Sequence, residues 1–388
     1  MKKKVAILGS TGSIGKTLIE IIINDKKNFD VVLLAAKKNS KALINQAKLL
    51  NVKNIIISDK KSYSNLLSKN RNKNIQIFND YENLDKILKT KIDYVMNSIS
   101  GLEGLKPTLQ IIKHTKKIAI ANKESIICGW NLIRNQLKKN TTEFIPIDSE
   151  HFSINELIKN TNKNSIEKIF ITASGGPFLN TKLSSFKNIK IQDAIRHPNW
   201  NMGKKISVDS STLINKVYEL IEAKKIFDLS YSKLEILIQP TSYVHSVIKF
   251  FGGIIKVLIH DTSMKIPIFN SLYSDSKTEV TLNNKLNLNL INKLNFQKVP
   301  QNKFPIYKIL SILPKSDSLF ETILVSANDT LVDLFLKKKI PYNKIHFYLN
   351  KILSLKEFTK YKKKMPTNIN DILKLNRYVR LKTLSLSV

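Results

Sequence analysis

Cysteine, acidic residues and long apolar runs are all scarce in this chain of 388 residues. The single cysteine, Cys128, excludes an internal disulfide framework and fits a reducing compartment. No segment offers the roughly 20 apolar residues that a membrane-spanning helix needs. The apolar run near the amino terminus, Val5–Leu8, is too short for a signal peptide. We therefore expect a cytoplasmic protein without a membrane partner.

Acidic residues number 30 against 64 lysines and arginines, which gives a formal net charge of +34. Such an excess is typical of proteins that bind nucleic acids or anionic membranes. The lysines are nevertheless spread along the whole chain, and asparagine and isoleucine are abundant as well. This mixture indicates that a codon bias, with solvated lysines over most of the surface, explains the positive charge better than a localised binding patch does. We expect no nucleic-acid partner.

Glycine is absent from the last third of the chain, because all eleven glycines lie at or before Gly253. Residues 300–388 are rich in Leu, Ile and Lys and are punctuated by prolines, which predicts packed helices. The preceding stretch, 276–299, predicts a linker. Residues 151–275 combine strand-like segments with dense turn signals and predict a mixed α+β domain.

The first 150 residues alternate short apolar runs with amphipathic stretches. The runs are Val5–Leu8, Val31–Ala36, Asn54–Ser58, Ile75–Phe78, Tyr94–Ser98, Ile118–Ala121 and Phe144–Ile147. Repeated alternation of this kind predicts an α/β fold with a mostly parallel sheet and helices on both faces.

A glycine-rich turn, Gly9-Ser-Thr-Gly-Ser-Ile-Gly15, follows the first predicted strand and opens the first predicted helix. Backbone N–H groups in such a turn reach a pyrophosphate at the positive end of the helix. The second strand ends in Lys37, Lys38 and Asn39, where an NAD site has a carboxylate. Because lysines attract a 2′-phosphate, we predict NADP(H). The alternative is that these are ordinary surface lysines.

An acidic pair follows the seventh run. If the chain stays extended there, Asp148 and Glu150 point to one face and converge on one cation. Carboxylates without Cys or clustered His favour Mg²⁺ or Mn²⁺. An acidic pair after a strand is also common on surfaces, so this signal alone is weak.

A second group of acidic residues lies in a predicted helix that begins near Val208. The candidate caps are Asp209, Ser210 and Ser211. One face of the helix carries Asn215, Glu219 and Glu222. That face is either solvated or borders a cleft. Ser210 and Lys216, near the helix start, suit a phosphate group.

Three further stretches end or connect predicted strands: 121–125 (ANKES), 174–178 (SGGPF) and 197–203 (HPNWNMG). The first is well placed for ligand binding or is a plain helix start, and the second is an anion nest or a tight turn. The third is typical of a lid, unless Trp200 simply covers a core. Among the histidines, His151 beside the acidic pair is a candidate ligand, but its apolar neighbours favour a buried structural role. A lone histidine such as His197 is more often structural than catalytic, and His245 is open.

These stretches together resemble the 1-deoxy-D-xylulose 5-phosphate reductoisomerase family. The matching segments are GSTGSIG at 9–15, ANKES at 121–125, DSEH at 148–151, SGGPF at 174–178 and HPNWNMGKKISVDSSTLINK at 197–216. The resemblance implies a Rossmann-like amino-terminal domain over 1–150, a central α+β catalytic domain and a carboxy-terminal helical bundle, assembled as a homodimer. It implies reduction and rearrangement of a sugar phosphate, 1-deoxy-D-xylulose 5-phosphate, to 2-C-methyl-D-erythritol 4-phosphate in non-mevalonate isoprenoid synthesis. The cofactors implied are NADPH and Mg²⁺ or Mn²⁺, with Co²⁺ as a further candidate.

The resemblance also implies roles for individual residues. The metal ligands are Asp148, Glu150 and Glu219, and the catalytic set adds Lys123 and His197. The substrate-binding set is Lys123, Ser149, Glu150, Ser174, His197, Ser210, Asn215, Lys216 and Glu219. The NADPH-binding set is Thr11, Gly12, Ser13, Ile14, Lys38, Asn39, Asn122, Glu124 and Gly203. Trp200 belongs to a loop that closes over the substrate.

A few positions depart from the family pattern. They are Lys37 in place of glycine, Val217-Tyr218 in place of Gly-Leu, Gln239 and Thr241 around Pro240 where His and Gln often stand, and Asp329 in place of Glu. None removes an implied ligand. Two other interpretations remain open: an NADP-dependent sugar-phosphate dehydrogenase without rearrangement, and a basic nucleic-acid-binding protein on the same scaffold.

Overall fold

The computed structural model describes residues 1–69, 74–274, 282 and 286–387. Its strands are β1 Lys3–Leu8, β2 Phe29–Ala36, β3 Asn54–Ile57, β4 Gln76–Phe78, β5 Ile92–Asn97, β6 Thr115–Ile120, β7 Glu143–Pro146, β8 Ile166–Ala173, β9 Leu234–Ile238, β10 Val244–Phe250, β11 Ile255–Ile259 and β12 Gln297–Lys298. Its α-helices are α1 Ser13–Asn24, α2 Ser40–Leu50, α3 Lys60–Lys69, α4 Leu84–Ile87, α5 Leu105–Ile111, α6 Lys123–Asn140, α7 Ser149–Ile158, α8 Ile191–Ala194, α9 Lys204–Ser211, α10 Ile214–Phe227, α11 Lys265–Leu272, α12 Leu288–Ile291, α13 Phe320–Leu336, α14 Tyr342–Leu353, α15 Lys356–Thr359 and α16 Ile369–Ser387. Within these described ranges, no helix combines the length and apolar character that a membrane crossing requires.

The chain divides into two compact units. One consists of the described residues within Met1–Ile126, Asn131–Phe152 and Met264–Asn283, and the other of those within Ile127–Trp130, Ser153–Ser263 and Asn284–Val388. The predicted boundaries at 150, 275 and 299 stay predictions. Part of the predicted linker, 276–281 and 283–285, lies outside the described residues, and its later part contains α12 and β12.

The first unit is built on a seven-stranded sheet in the order β4-β3-β2-β1-β5-β6-β7, with every pair parallel. All seven apolar runs predicted from the sequence form these strands. Most of their residues are buried, as expected for parallel strands covered on both faces. The strand order reverses direction beside β1, and ligands of such sheets bind at the carboxyl ends of the strands near that point. The glycine-rich turn follows β1 there.

The second unit contains a five-stranded sheet in the order β11-β10-β8-β9-β12. The β8–β9 pair is parallel and the other pairs are antiparallel, which confirms the predicted mixed α+β character. The strand-like segments of this region in the sequence are Ile166–Thr172, Leu234–Gln239 and Ile254–His260, so β10 was not predicted. Its sequence, VHSVIKF, is buried at most positions on both faces, so it lacks the alternation of a half-buried strand.

The glycine-free tail forms helices, as predicted. α13 is buried along almost its whole length and packs against α14 and α16. A helix that is buried on nearly all sides lies inside a packed helical layer rather than on its surface. The α/β class and the helical carboxy-terminal region are therefore both confirmed.

The prediction of one capped helix beginning near Val208 is wrong. Two helices, α9 and α10, occupy the segment, and they meet at Leu213, which adopts a left-handed conformation (φ 69°). The three candidate caps, Asp209, Ser210 and Ser211, instead form the end of α9. The Leu213 side chain is fully buried, so packing holds a backbone geometry that helix signals alone do not predict.

Candidate active site

The turn after β1 has the close backbone approach of a phosphate-binding turn. The Gly12 N–H donates to the Gly9 carbonyl at 3.0 Å. A Cβ at Gly15 would lie 2.6 Å from the same oxygen, so no larger residue fits there. Gly12 and Ser13 are exposed and Thr11 and Ile14 half-buried at the start of the twelve-residue helix α1, where N–H groups face outward.

The end of β2 carries the residues predicted to bind a 2′-phosphate. Lys38 is exposed, and Asn39 caps α2 by accepting the Ala42 N–H at 3.1 Å. The ammonium group of Lys37 lies 2.6 Å from the carboxylate of Glu103, which follows β5. Sequence reasoning missed Glu103. No local sequence signal marks Glu103. The loops after β2 and β5 both lie beside the β1 turn because β2 and β5 flank β1 in the sheet.

The residues at the end of β6 are held by structural contacts. The Asn122 side chain accepts the Ser125 N–H at 2.6 Å, which caps α6. Its amide donates to the carbonyls of Ile99, and of Gly101 at 2.6 Å, in the loop after β5. Glu124 is buried in the first turn of the same helix. Asn122 thus ties together two loops at the carboxyl edge of the sheet.

The acidic pair after β7 is not extended, which corrects the predicted reason for its convergence. Ser149 and Glu150 begin α7, and Asp148 precedes it. Asp148 Oδ1 accepts the Glu150 N–H at 3.2 Å, the contact that a residue at a helix start makes. Glu150 is therefore placed by a helical turn. Ser149 Oγ donates to Glu150 Oε2 at 2.7 Å.

Asp148 is surrounded by two basic side chains. The ammonium group of Lys123, at the start of α6, pairs with Asp148 Oδ2. The imidazole Nδ1 of His151 lies 3.2 Å from Asp148 Oδ1. His151 is fully buried, as predicted for a structural histidine. Lys123 and Asp148 are mostly buried, so their ion pair is shielded from solvent screening.

Glu219 in α10 is also buried and held on both sides. Its Oε1 accepts the Asn215 amide at 2.6 Å, and its Oε2 lies 2.7 Å from the Lys216 ammonium. All three lie within the first two turns of α10, where residues three and four apart are neighbours. Glu222, predicted on the same face, is buried as well.

One group of carboxylates among the described residues could hold a metal ion. Asp148, Glu150 and Glu219 each offer one carboxylate oxygen, and these oxygens all lie within 4.8 Å of one another. Within the first unit Lys123 pairs with Asp148, and within the second unit Lys216 pairs with Glu219. Oxygen donors with net negative charge suit a hard divalent cation and not a soft metal.

His197 forms a defined hydrogen-bond network with Ser174. Its Nδ1 accepts the backbone N–H groups of Asn199 at 3.1 Å and Trp200 at 3.0 Å, so the proton is assigned to Nε2. Nε2 then donates to Ser174 Oγ at 3.0 Å, which also accepts the Gly176 N–H at 3.0 Å. Ser174 therefore uses its oxygen as an acceptor and keeps its own proton to donate.

The charge state of His197 follows from its surroundings. Burial, with a smaller contribution from the nearby positive charge of Lys216, lowers the pKa of His197 to about 4. The imidazole is therefore neutral at physiological pH. This agrees with an Nδ1 atom that accepts two N–H groups.

The turn 174–178 packs against the end of α9. A Cβ on Gly176, whose φ is +65°, would lie 3.1 Å from the Ser210 carbonyl. Ser210 is half-buried in the last turn of α9, and Gly203 is exposed at the amino-terminal cap of the same helix. The predicted phosphate-binding residues of the second unit thus lie in neighbouring segments.

Asn199 has a role that sequence reasoning missed. Its amide donates to the Pro240 carbonyl at 2.7 Å and to Ser242 Oγ at 2.9 Å, in the turn before β10. Trp200 is half-buried, with its ring 6.1 Å from that of His245. The HPNW segment is therefore anchored through Asn199 to the turn before β10. The only sequence signal was its place inside the polar 197–203 loop.

Comparison with known proteins gives consistent results along the chain. Three family profiles match it: 1-deoxy-D-xylulose 5-phosphate reductoisomerase over residues 5–129, the 1-deoxy-D-xylulose 5-phosphate reductoisomerase C-terminal domain over 144–227, and the DXP reductoisomerase C-terminal domain over 260–382. The 1-deoxy-D-xylulose 5-phosphate reductoisomerase of Pelagibacter ubique (strain HTCC1062) is 55% identical over 388 residues, which is 100% of both chains. That of Wolbachia pipientis wMel is 40% identical over 88% of each chain.

Solved structures agree. The reductoisomerase from Zymomonas mobilis in complex with NADPH is similar at a TM-score of 0.89 and 30% identity, over 100% of this chain and 99% of that one. A DOX-P reductoisomerase in complex with NADPH, fosmidomycin and magnesium is similar at 0.90 and 29% identity, over 99% and 98%.

The parallel sheet with its phosphate-binding turn, combined with a carboxylate cluster suited to a divalent cation, defines a metal-dependent dinucleotide oxidoreductase. Within that class, the profiles and the full-length relatives decide the family. The chain belongs to the 1-deoxy-D-xylulose 5-phosphate reductoisomerase family.

Proposed function

We propose that this protein converts 1-deoxy-D-xylulose 5-phosphate into 2-C-methyl-D-erythritol 4-phosphate, a step of non-mevalonate isoprenoid synthesis. The substrate skeleton rearranges to an aldehyde phosphate, and hydride from NADPH reduces the aldehyde. NADPH and a divalent cation are the cofactors of the enzyme. The cluster of three carboxylates carries this assignment, because a simple carbonyl reduction needs no group that chelates two substrate oxygens.

The residues present fit a divalent cation such as Mg²⁺, Mn²⁺ or Co²⁺. Asp148, Glu150 and Glu219 would hold the ion, since each offers a carboxylate oxygen and these oxygens lie within 4.8 Å of one another. When bound, the ion supplies Lewis-acid polarisation of the substrate carbonyl and hydroxyl oxygens. Lys123 lies beside Asp148 and contributes a second positive charge at the reacting end. Ser149 orients Glu150 through their hydrogen bond.

The phosphate of the substrate is bound by residues of the second unit. Ser174 donates its hydroxyl proton, and His197, neutral and bonded to it, fixes the direction of that proton. Lys216 adds a positive charge. Ser210 and Asn215 complete the set. Binding energy from this remote group then orients the reacting end and stabilises closure of the loop that carries Trp200.

NADPH binds at the carboxyl edge of the parallel sheet. Thr11, Gly12, Ser13 and Ile14 hold the pyrophosphate at the start of α1. Lys38 and Asn39 bind the 2′-phosphate, as their place after β2 supports. Asn122, Glu124 and Gly203 complete the cofactor contacts.

A homodimer forms through the edge of the second sheet. β11 is an outermost strand among the described ones, and apolar side chains are exposed along it and the turn before it. They are Phe251, Ile254, Ile255 and Val257. A second copy related by a two-fold axis covers this surface through pairing of identical strands. Analytical sedimentation tests this dimer. We expect Val257→Lys to be a monomer and the control Leu67→Lys, at another exposed apolar position, to stay dimeric. A monomeric wild-type protein would refute the assembly.

The cytoplasm is the proposed location. The one cysteine, Cys128, is buried as a free thiol, which fits a reducing compartment.

The decisive experiment follows NADPH absorbance with 1-deoxy-D-xylulose 5-phosphate, with and without Mg²⁺ or Mn²⁺. We expect oxidation of NADPH only when substrate and metal are both present, with 2-C-methyl-D-erythritol 4-phosphate as product. Oxidation that persists in a chelator, without rearranged product, would instead indicate a simple sugar-phosphate dehydrogenase.

A further inference from the structure

Two histidine rings, neither of which has been given a role above, stack in the second unit. His245 lies in β10 and His260 directly follows β11. Their ring centroids are 3.6 Å apart and their planes differ by 15°. Both are buried, with 1% and 8% of their surfaces exposed. Sequence reasoning left His245 open and did not consider His260.

A local irregularity in the β10–β11 ladder produces the stack. Val244 pairs with Ile259 and Ser246 with Leu258, so His245 is an extra residue on β10. A β-bulge of this kind redirects a side chain and is common next to functional sites. The bulge turns the His245 ring toward His260.

Hydrogen bonds fix both rings. His245 Nε2 donates to the His260 carbonyl at 3.1 Å, and His260 Nδ1 donates to the Asp261 carbonyl at 2.7 Å. The His260 N–H donates to the Tyr243 carbonyl at 3.1 Å. Because carbonyl oxygens only accept hydrogen bonds, these contacts assign a proton to Nε2 of His245 and to Nδ1 of His260. The rings therefore have little freedom to rotate.

A third aromatic ring, that of Trp200, contacts one member of this pair. The indole of Trp200 contacts His245 edge-on, with centroids 6.1 Å apart and planes at 79°. Trp200 follows Asn199, which is bonded to the turn just before β10. The loop 197–203 is thus docked on the same hairpin by a hydrogen-bonded residue and, beside it, an aromatic contact.

We propose that His260 is a positioning residue for the reaction. It holds the His245 ring, the His245 ring supports the indole of Trp200, and the indole sets how the 197–203 loop closes over the sugar phosphate. This inference rests on the proposed function, since it takes Trp200 to cover the substrate. In this role His260 acts only through His245 and Trp200.

Two variants separate the ring from its hydrogen bond. His260→Phe keeps an aromatic ring without the donor, and His260→Asn keeps a donor without the ring. We expect His260→Asn to raise the KM for the sugar phosphate about 3- to 10-fold with kcat within about 2-fold, because one aromatic contact is lost. We expect His260→Phe to stay near the wild-type KM. His346→Ala, a histidine on α14 bonded to Asn350, is the matched control and leaves the KM unchanged.

A spectroscopic readout tests the same chain of contacts without turnover. In a Trp130→Phe background Trp200 is the one remaining tryptophan. Its emission should shift in His260→Asn and return in His260→Phe. If His260→Asn leaves KM and emission unchanged, or if His260→Phe is as impaired as His260→Asn, the proposal is wrong. A wild-type enzyme that fails to turn over the substrate refutes the proposed function instead, whatever the emission shows.

Discussion

Each acidic side chain of the proposed metal site already has a partner. Lys123 pairs with Asp148, Ser149 donates to Glu150, and Lys216 pairs with Glu219. Such neighbours orient ligand oxygens before a cation binds, and they balance part of the charge that three carboxylates bring together. The affinity for the cation therefore depends on these partners as well as on the ligands.

The first prediction concerns the ligand at the start of α7. Glu150→Gln removes one negative oxygen from the cluster and should lower kcat at least about 100-fold, because metal binding and charge stabilisation are both weakened. NADPH binding, followed by quenching of protein fluorescence, should be unchanged. Glu156→Gln on the same helix is the control, since Glu156 pairs with Lys159 at the surface. Near-wild-type turnover in Glu150→Gln would exclude Glu150 as a ligand.

The second prediction concerns the protonation of His197. Its depressed pKa, about 4, means that the ring stays neutral as pH falls from 8 to 5 and takes up a proton only near 4. Histidine-selective NMR, with His197→Gln used to assign the signal, should show no titration of this ring around 6.5. A midpoint between 6 and 7 would contradict the assigned direction of its hydrogen bond to Ser174.

At the scale of secondary-structure elements, short turns decide where the phosphate-binding groups lie. The turn 174–178 approaches the last turn of α9 so closely that a Cβ on Gly176 would lie 3.1 Å from the Ser210 carbonyl and would force α9 to shift slightly. The turn that begins at Ser174 and the end of α9 that carries Ser210 therefore approach each other through a backbone contact at Gly176.

The third prediction uses two glycines with the same backbone geometry. Gly176 (φ +65°) would place a Cβ against α9, whereas Gly253 (φ +82°), in the β10–β11 turn, has open space around it. An alanine at either position costs roughly 1–2 kcal/mol in left-handed conformation. Only Gly176→Ala should also raise the KM for the sugar phosphate, by about 10-fold, since it displaces Ser210. Equal KM values in the two variants would show that this contact is unimportant.

Elements also show where sequence reasoning fails. The seven strands of the parallel sheet were predicted because each is a short apolar run between helical stretches. The start of α7 at Ser149 and the break between α9 and α10 at Leu213 were not, because polar residues near a helix start satisfy several starting points equally well. Buried contacts select one of them.

On the scale of the whole molecule, net charge is the dominant feature. The value of +34 is dispersed over the chain, while both the sugar phosphate and NADPH are anions. A positive field of this size raises the rate of encounter with anionic ligands and is screened by salt.

The fourth prediction follows from that field. Raising NaCl from about 20 to about 200 mM should lower kcat/KM for the sugar phosphate about 3- to 10-fold, because the Debye length falls below the distance over which the charges act. The kcat should change little, since the bound substrate no longer depends on steering. Steady-state kinetics at constant pH measure both. A kcat/KM that is independent of salt would show that dispersed lysines do not steer the ligand.

The sequence by itself determined the local features of this protein. Apolar runs specified the parallel strands, the glycine spacing specified the turn after β1, and residue types specified a site for a hard cation, since all of these depend on near neighbours along the chain. The tertiary structure alone decided which of those residues meet. The pairing of Lys37 with Glu103, the helix break at Leu213 and the stacking of His260 on His245 depend on packing and strand order, which no local pattern encodes.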